Sequence, residues 1–220
     1  ILAYQENRKI SYFIKCVFAE VLLGMILLSF SIVIMDIRFD FRFLLFCFSA
    51  KYLDWKITNS SIVLLAILRF FWGSIDIAQT NLLASIMIAV TLPLLVHYTK
   101  DKMSDLSQLL ILVTISIIPT ILITNHVIAD KSLVLTIGLM LFACGYAATF
   151  IMYHFITDLY SLIASANTDD LTTLKNGRTF NAKLLEIERN MQSVTVAMID
   201  VDYFKDYNDR YGHDSSDALL

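Results

Sequence analysis

The sequence predicts a multispan α-helical membrane bundle followed by the opening portion of an α/β domain. Two bulk observations point there. Of the 220 residues, 57% are hydrophobic and 17% charged, and the mean hydropathy is +0.67. Soluble domains run at about 45–50% apolar and about 25% charged, so a single soluble globular domain is excluded, and so is disorder. The charge is also split along the chain. Residues 1–167 hold 11 Lys/Arg and 10 Asp/Glu, whereas the 53 residues 168–220 hold 6 and 10. The first part reads as membrane and the second as water-exposed.

A spanning helix needs about 20 mostly apolar residues. Runs at 12–35, 81–98, 106–124 and 132–152 meet this. A fifth, 57–75, qualifies despite Arg69. A sixth, 39–53, is short, and its flanking Arg42 and Lys51 have stems long enough to reach headgroups. Charge placement favours six spans. Arg8, Lys9 and Lys15, then Lys51 and Lys56, then Lys100 and Lys102 fall in alternate loops. Asp36, Asp40, Asp76, His126 and Asp130, partly offset by Arg38 and Lys131, fill the others. The positive-inside rule then puts both ends in the cytoplasm. Pro93 and Pro119 sit inside spans, where neighbouring helices and waters can satisfy the freed carbonyls.

The chain opens on Ile1 and stops at Leu220 within a helical pattern, so both ends are expected to be cut. No signal-peptidase-like site follows the first apolar run. Cys16, Cys47 and Cys144 lie in apolar stretches and read as buried thiols.

Glu20 and Arg69 are the candidate intramembrane sensor residues. A charge at mid-bilayer costs about 2.5–3.5 kcal/mol on insertion scales, so it usually faces a partner in the bundle interior. Two readings stand. Either the two line a signal pocket, or Glu20 lies near the inner interface and Arg69 reaches outward towards Asp76.

Beyond the last span, Met152, Ile156, Leu159, Ile163 and Ala166 recur at heptad a/d spacing with no Gly or Pro between. A helical stalk over 153–167 is expected, either pairing in a parallel dimer or packing on its own neighbours. The division is then 1–152 membrane, 153–167 stalk and 168–220 soluble.

In the soluble part, Thr168 to Thr172 reads as a capped turn, and residues 178–191 show helical periodicity. The apolar, β-branched run 194–199 reads as a buried strand ending in Asp200-Val201-Asp202. A short helix opens at Tyr203-Phe204-Lys205 and closes at Gly212-His213, and another begins near Asp214. Residues two apart on a strand share a face, so Asp200 and Asp202 can converge. Hard divalent cations take carboxylates plus substrate phosphates, and Lys205 could meet a phosphate as a point charge.

The longer strings add specificity. Thr168-Asp169-Asp170-Leu171-Thr172-Thr173-Leu174-Lys175-Asn176-Gly177-Arg178, followed by Phe180, resembles the D-x-L-T-G-L-x-N-R-R start of the GGDEF family and the Phe that follows it. Asp200-Val201-Asp202-Tyr203-Phe204-Lys205, with Asn208, Asp209, Gly212, His213, Asp217 and Leu220, resembles its D-x-D-x-F-K-x-x-N-D-x-x-G-H-x-x-G-D-x-x-L segment. The preceding helices resemble a MASE-type membrane module. The resemblance implies a membrane-bound diguanylate cyclase, joining two GTP molecules into cyclic di-GMP in a homodimer formed through stalk and GGDEF domain. It implies Mg²⁺ or Mn²⁺ on Asp200 and the Val201 carbonyl, and Lys205 as the catalytic cation. GTP would meet Phe204, Asn208, His213 and Asp217, with Asn208 and Asp217 reading guanine. It also implies a multi-pass protein of the bacterial inner membrane with a cytoplasmic C-terminal domain and no nucleic-acid partner. The full domain would be a palm-like sheet flanked by helices.

Departures are Asp170 for Pro, Thr173 for Gly, Gly177 for Arg and Ser216 for Gly, and the G-G-D/E-E-F hairpin is not in these residues. Residues 168–220 alone bury too little surface to offset chain entropy, so they are expected to fold poorly and make no product by themselves. A non-catalytic membrane receptor that modulates other cyclases is the competing reading.

Overall fold

The computed structural model describes residues 2–35, 37–71, 75–169, 171–190 and 193–212, the side chains of residues 2–8 and of Ile77 excepted. The chain divides into two compact units, Ile1–Tyr153 and His154–Leu220.

The first unit is a helical bundle. In order it holds α1 (Leu2–Ser29), β1 (Ile32–Ile34), β2 (Ile37–Phe39), α2 (Arg42–Tyr52), α3 (Trp55–Leu68) and a 3₁₀ turn (Arg69–Phe71). Then come α4 (Ile75–Thr99), α5 (Asp105–Val127) and α6 (Lys131–Asn167), the last running on into the second unit. Among the described residues, four segments are long and apolar enough to cross a bilayer: Lys9–Ser29, Ala78–Thr99, Asp105–Val127 and Lys131–Asn167. Phe18, Leu83, Leu135 and Ile151 point outward from them. Such apolar exteriors suit lipid rather than water.

The expected spans at 39–53 and 57–75 are helices, but short ones. At 1.5 Å per residue, 11 residues in α2 reach about 16 Å and 14 in α3 about 21 Å, against a hydrocarbon core of about 30 Å. The first span also ends early. Residues 32–35, expected to continue the helix, instead form an antiparallel hairpin in which Ile32 pairs with Phe39, Val33 with Arg38 and Ile34 with Ile37. The β-branched run Ile32-Val33-Ile34 suits a pleated surface better than a helix end. Ile37 and Phe39 bury their side chains against Ile128, Val134 and Ile137.

Caps fix the helix starts. Asp54 is extended, and its carboxylate accepts the Lys56 amide at 3.0 Å, opening α3 after a two-residue link from α2. Ser104 caps α5, and Asp130 accepts from the amides of Ser132 and Leu133 at the start of α6. The main core joins Phe43, Phe46 and Cys47 of α2 with Ile62 and Leu65 of α3, Leu92 of α4, and Leu112 and Ile117 of α5. Of the three cysteines only Cys47 is buried. Cys144 lies on the outer face of α6, because an apolar run in a membrane helix has a lipid side as well as a core side.

Polar contacts define two ends. Lys51 donates to Asp105 at 2.7 Å and also to Gln108, and Gln108 donates to Thr99 at 2.7 Å. The loops bearing Lys51, Lys56, Lys100 and Lys102 thus share one end of the bundle. The hairpin and the α5–α6 link share the other.

Helices α1 and α3 approach at Gly24. A Cβ built there would collide with Leu65 Cδ1, and Leu65 is buried. Gly24→Leu is therefore expected to cost about 1–3 kcal/mol by overpacking. A thermal unfolding midpoint equal to that of the wild type would show that α1 does not pack there.

In the second unit, α7 (Gly177–Arg189) and α8 (Phe204–Tyr211) bury no residue. The expected strand at 194–199 is not formed. Residues 193–201 have no regular structure, and Met198 and Ile199 are 98% and 91% exposed. A strand is stabilised by cross-strand ladder bonds, and no neighbouring strand is present among the described residues of this unit.

Candidate functional site

The soluble motif begins where α6 ends. The Asp169 Oδ1 accepts the amides of Leu171 and Thr172 and the Thr172 hydroxyl, at 3.2, 3.0 and 3.0 Å. The Thr172 amide, then its hydroxyl, hold the Asp169 carboxyl below its ordinary range. The Asp169 amide donates to the Leu174 carbonyl at 2.8 Å, and Thr168 bridges to Lys175. Asn176 then caps α7, its carboxamide oxygen accepting from the Thr179 amide and its nitrogen donating to the carbonyls of Ala166 and Thr168. The capped turn expected at 168–172 and the helix expected from 178 are thus both present.

The turn explains one departure. Thr173 has φ 58°, the left-handed region, at the position where the family pattern carries Gly. A left-handed β-branched residue costs about 1–2 kcal/mol, offset by the roughly 0.5–1 kcal/mol that Gly loses in chain entropy. Thr173→Gly is therefore expected to raise hydrogen-exchange protection of amides 168–176 by about two- to fivefold. Unchanged protection would mean that the turn carries no strain.

Downstream, Asp200, Val201 and Asp202 are exposed, and the Asp200 Oδ1 accepts the Val201 amide at 3.0 Å. Tyr203, at φ 56°, turns the chain into α8. Phe204 and Lys205 open that helix, Phe204 half-buried and Lys205 exposed. Asn208 follows one turn later. Its side-chain oxygen is buried and makes no hydrogen bond among the described residues. The rings of Tyr207 and Tyr211 sit 4.7 Å apart, and Gly212, at φ 82°, ends the helix as the sequence predicts. His213, Asp217 and the helix expected near 214 lie outside the described residues.

The structure thus brings Phe204, Lys205 and Asn208 onto one short helix directly after the acidic pair. It does not gather three His, Cys, Asp or Glu side chains into a metal cluster among the described residues. Two carboxylates and a backbone carbonyl are nonetheless hard oxygen donors of the kind Mg²⁺ takes, with phosphate and water oxygens completing the shell.

In the first unit, Glu20 and Arg69 part company. Arg69 is 1% exposed and lines a cavity of about 80 Å³, while Asp76, its alternative partner in the sequence, is exposed. Glu20 is also buried, and neither of its oxygens has a partner among the described residues, but it does not line that cavity. The sequence placed Arg38 and Asp40 among loop charges and Arg42 at the flank of a short span, reaching for headgroups. All three line the cavity with Arg69.

Residues 166–220 match the family model described as diguanylate cyclase, GGDEF domain. Over its whole length the chain is similar to uncharacterized membrane proteins of Staphylococcus aureus strains USA300, NCTC 8325 / PS 47 and COL, at 29% identity over 236 residues. The match covers 100% of this chain and 63% of each relative, so the chain spans a little under two thirds of their length. No solved structure matches.

Proposed function

We propose, from a GGDEF-family segment that follows helices of membrane-spanning length, that this chain serves a membrane-bound diguanylate cyclase whose bundle senses a signal. The carrying observation is the match of residues 166–220 to that family directly behind the long apolar helix α6. In this reaction the 3′-hydroxyl of each GTP attacks the α-phosphorus of the other. Two phosphodiester bonds form and two pyrophosphates leave.

Asp200 and the Val201 carbonyl would hold Mg²⁺ or Mn²⁺, which when bound neutralises phosphate charge. Lys205, one turn from the acids and exposed, is free to swing to the α-phosphate and stabilise charge developing there. Asn208 offers guanine both a donor and an acceptor, and Asp217 accepts from its N1–H and amine. Phe204 and His213 flank the nucleotide. Because each half-site needs the other's GTP, two copies must meet. The stalk residues Leu159 and Ile163 leave an exposed apolar seam suited to a second parallel stalk. The basic loops at one bundle end support a cytoplasmic placement of that end and of the C-terminal domain, in a protein of the bacterial inner membrane.

The left-handed Thr173 at a Gly position favours one other reading, a non-catalytic receptor that modulates intact cyclases. The deciding experiment reads the coding sequence past the codon for Leu220 and assays its product with GTP and Mg²⁺. An in-frame G-G-D/E-E-F and cyclic di-GMP formation support the cyclase. A frame without the acidic motif, or no product, overturns it.

A further inference from the structure

Arg69 is a buried cation that forms no ion pair among the described residues. Its Nε, Nη1 and Nη2 make no hydrogen bond among the described residues. Burying a guanidinium without a hydrogen-bonding partner costs several kcal/mol. The neighbouring charges deepen the imbalance. Arg38 donates to the Ser31 hydroxyl at 3.2 Å, and Arg42 takes Asp40 Oδ1 with both its Nε, at 2.8 Å, and its backbone amide, at 3.0 Å. Three cations thus face one carboxylate around the same cavity. The Asp40 Oδ2 is likewise buried and unpartnered among the described residues. Walls of Phe43, Ile62 and Leu65 keep the local dielectric low and strengthen any ion pair formed there.

We propose that this cavity binds a small oxoanion, a carboxylate or phosphate group, through the fork of Arg69, with Arg38 and Arg42 supplying the surrounding positive field. The planar guanidinium matches two oxygens of such a group at once. One water needs about 10–15 Å³ of cavity, so about 80 Å³ admits a group of several heavy atoms. The same chemistry fits a free oxoanion or a lipid headgroup phosphate. The site gives the sensing half of the proposed function a ligand class. It involves no GTP chemistry, so the two ideas fail separately.

The test uses the full chain in nanodiscs, with unfolding followed by tryptophan fluorescence. Sodium phosphate or sodium acetate is titrated against sodium chloride at equal ionic strength in phosphatidylcholine discs. A parallel series raises the phosphatidylglycerol content with chloride alone. A saturable rise in midpoint with phosphate or acetate supports a free oxoanion, and one with phosphatidylglycerol supports a headgroup. In either case Arg69→Met weakens the effect by about 10–100-fold, the range expected for losing hydrogen bonds to a charged group. Lys102→Gln, at the opposite end of the bundle, retains it. Arg69→Met also unfolds at a higher temperature than the wild type in chloride alone, because it removes an uncompensated buried charge. No saturable shift from any of the three additions, or an equal shift in Arg69→Met, overturns the proposal. Should that variant fail to fold, equilibrium dialysis of labelled phosphate and acetate against wild type and Arg38→Gln decides, tight binding weakened by Arg38→Gln supporting it and no binding overturning it.

Discussion

Asp200→Ala is expected to abolish cyclic di-GMP synthesis in the protein carrying the whole domain, by about 10³-fold or more at saturating GTP. A metal that neutralises transferring phosphate contributes several kcal/mol, and each 1.36 kcal/mol is tenfold in rate. Asp200 and the Val201 carbonyl, the proposed metal donors, lie immediately before the turn into α8, and Asp202 follows directly. Extra Mg²⁺ would not restore the lost activity, because the missing ligand also positions the ion. Lys205→Ala gives a useful contrast, with a loss of about 10²–10³-fold in kcat and GTP binding largely intact, as for a lost donor to transition-state charge. Product quantified by chromatography distinguishes them. An Asp200→Ala protein with more than a tenth of wild-type turnover would remove the metal role from this position.

Asp40→Ala is expected to destabilise the bundle by about 3–5 kcal/mol, the range for removing one partner of a buried ion pair. Asp40 is the one carboxylate among the described residues lining the arginine cavity, and it holds both the side chain and the amide of Arg42. Its loss leaves three cations facing one another. The double variant Asp40→Ala, Arg42→Ala should recover part of the deficit, since the repulsive partner goes too. Thermal unfolding of the full chain in nanodiscs measures both. Equal midpoints for Asp40→Ala and wild type would mean that the cavity charges are solvated.

Long apolar helices were the most legible part of this sequence, because a 20-residue apolar run has few other stable forms. The four long helices fall where hydropathy puts them. What hydropathy could not register was the handover from α1 to α2. Ile32, Val33 and Ile34 are as apolar as the helix before them, and only their β-branching marks the switch to a strand. The opposite error occurred at 194–199. There the residues favour a strand, but strand formation depends on a partner elsewhere in the chain, which local composition does not encode. In the soluble motif, turn chemistry was readable at Asp169, Asn176 and Gly212, each acting through its own backbone neighbours. Arg38, Asp40 and Arg42 were not readable as one site with Arg69, because a hairpin and two separate helices bring them together.

The brevity of α2 and α3 bears on how the protein enters its membrane. With Arg42, Lys51, Asp54, Lys56 and Arg69 in or beside them, neither helix carries the roughly 18 uncharged apolar residues that would commit it to lipid alone. The two pack as a helical hairpin, joined by the tight Leu53-Asp54 link and the 2.7 Å Ser49–Thr58 hydroxyl contact. Their final seating waits for α5, whose Asp105 and Gln108 receive Lys51. Residues 42–68 thus owe their seating to a helix made after them in the chain, rather than to their own hydropathy.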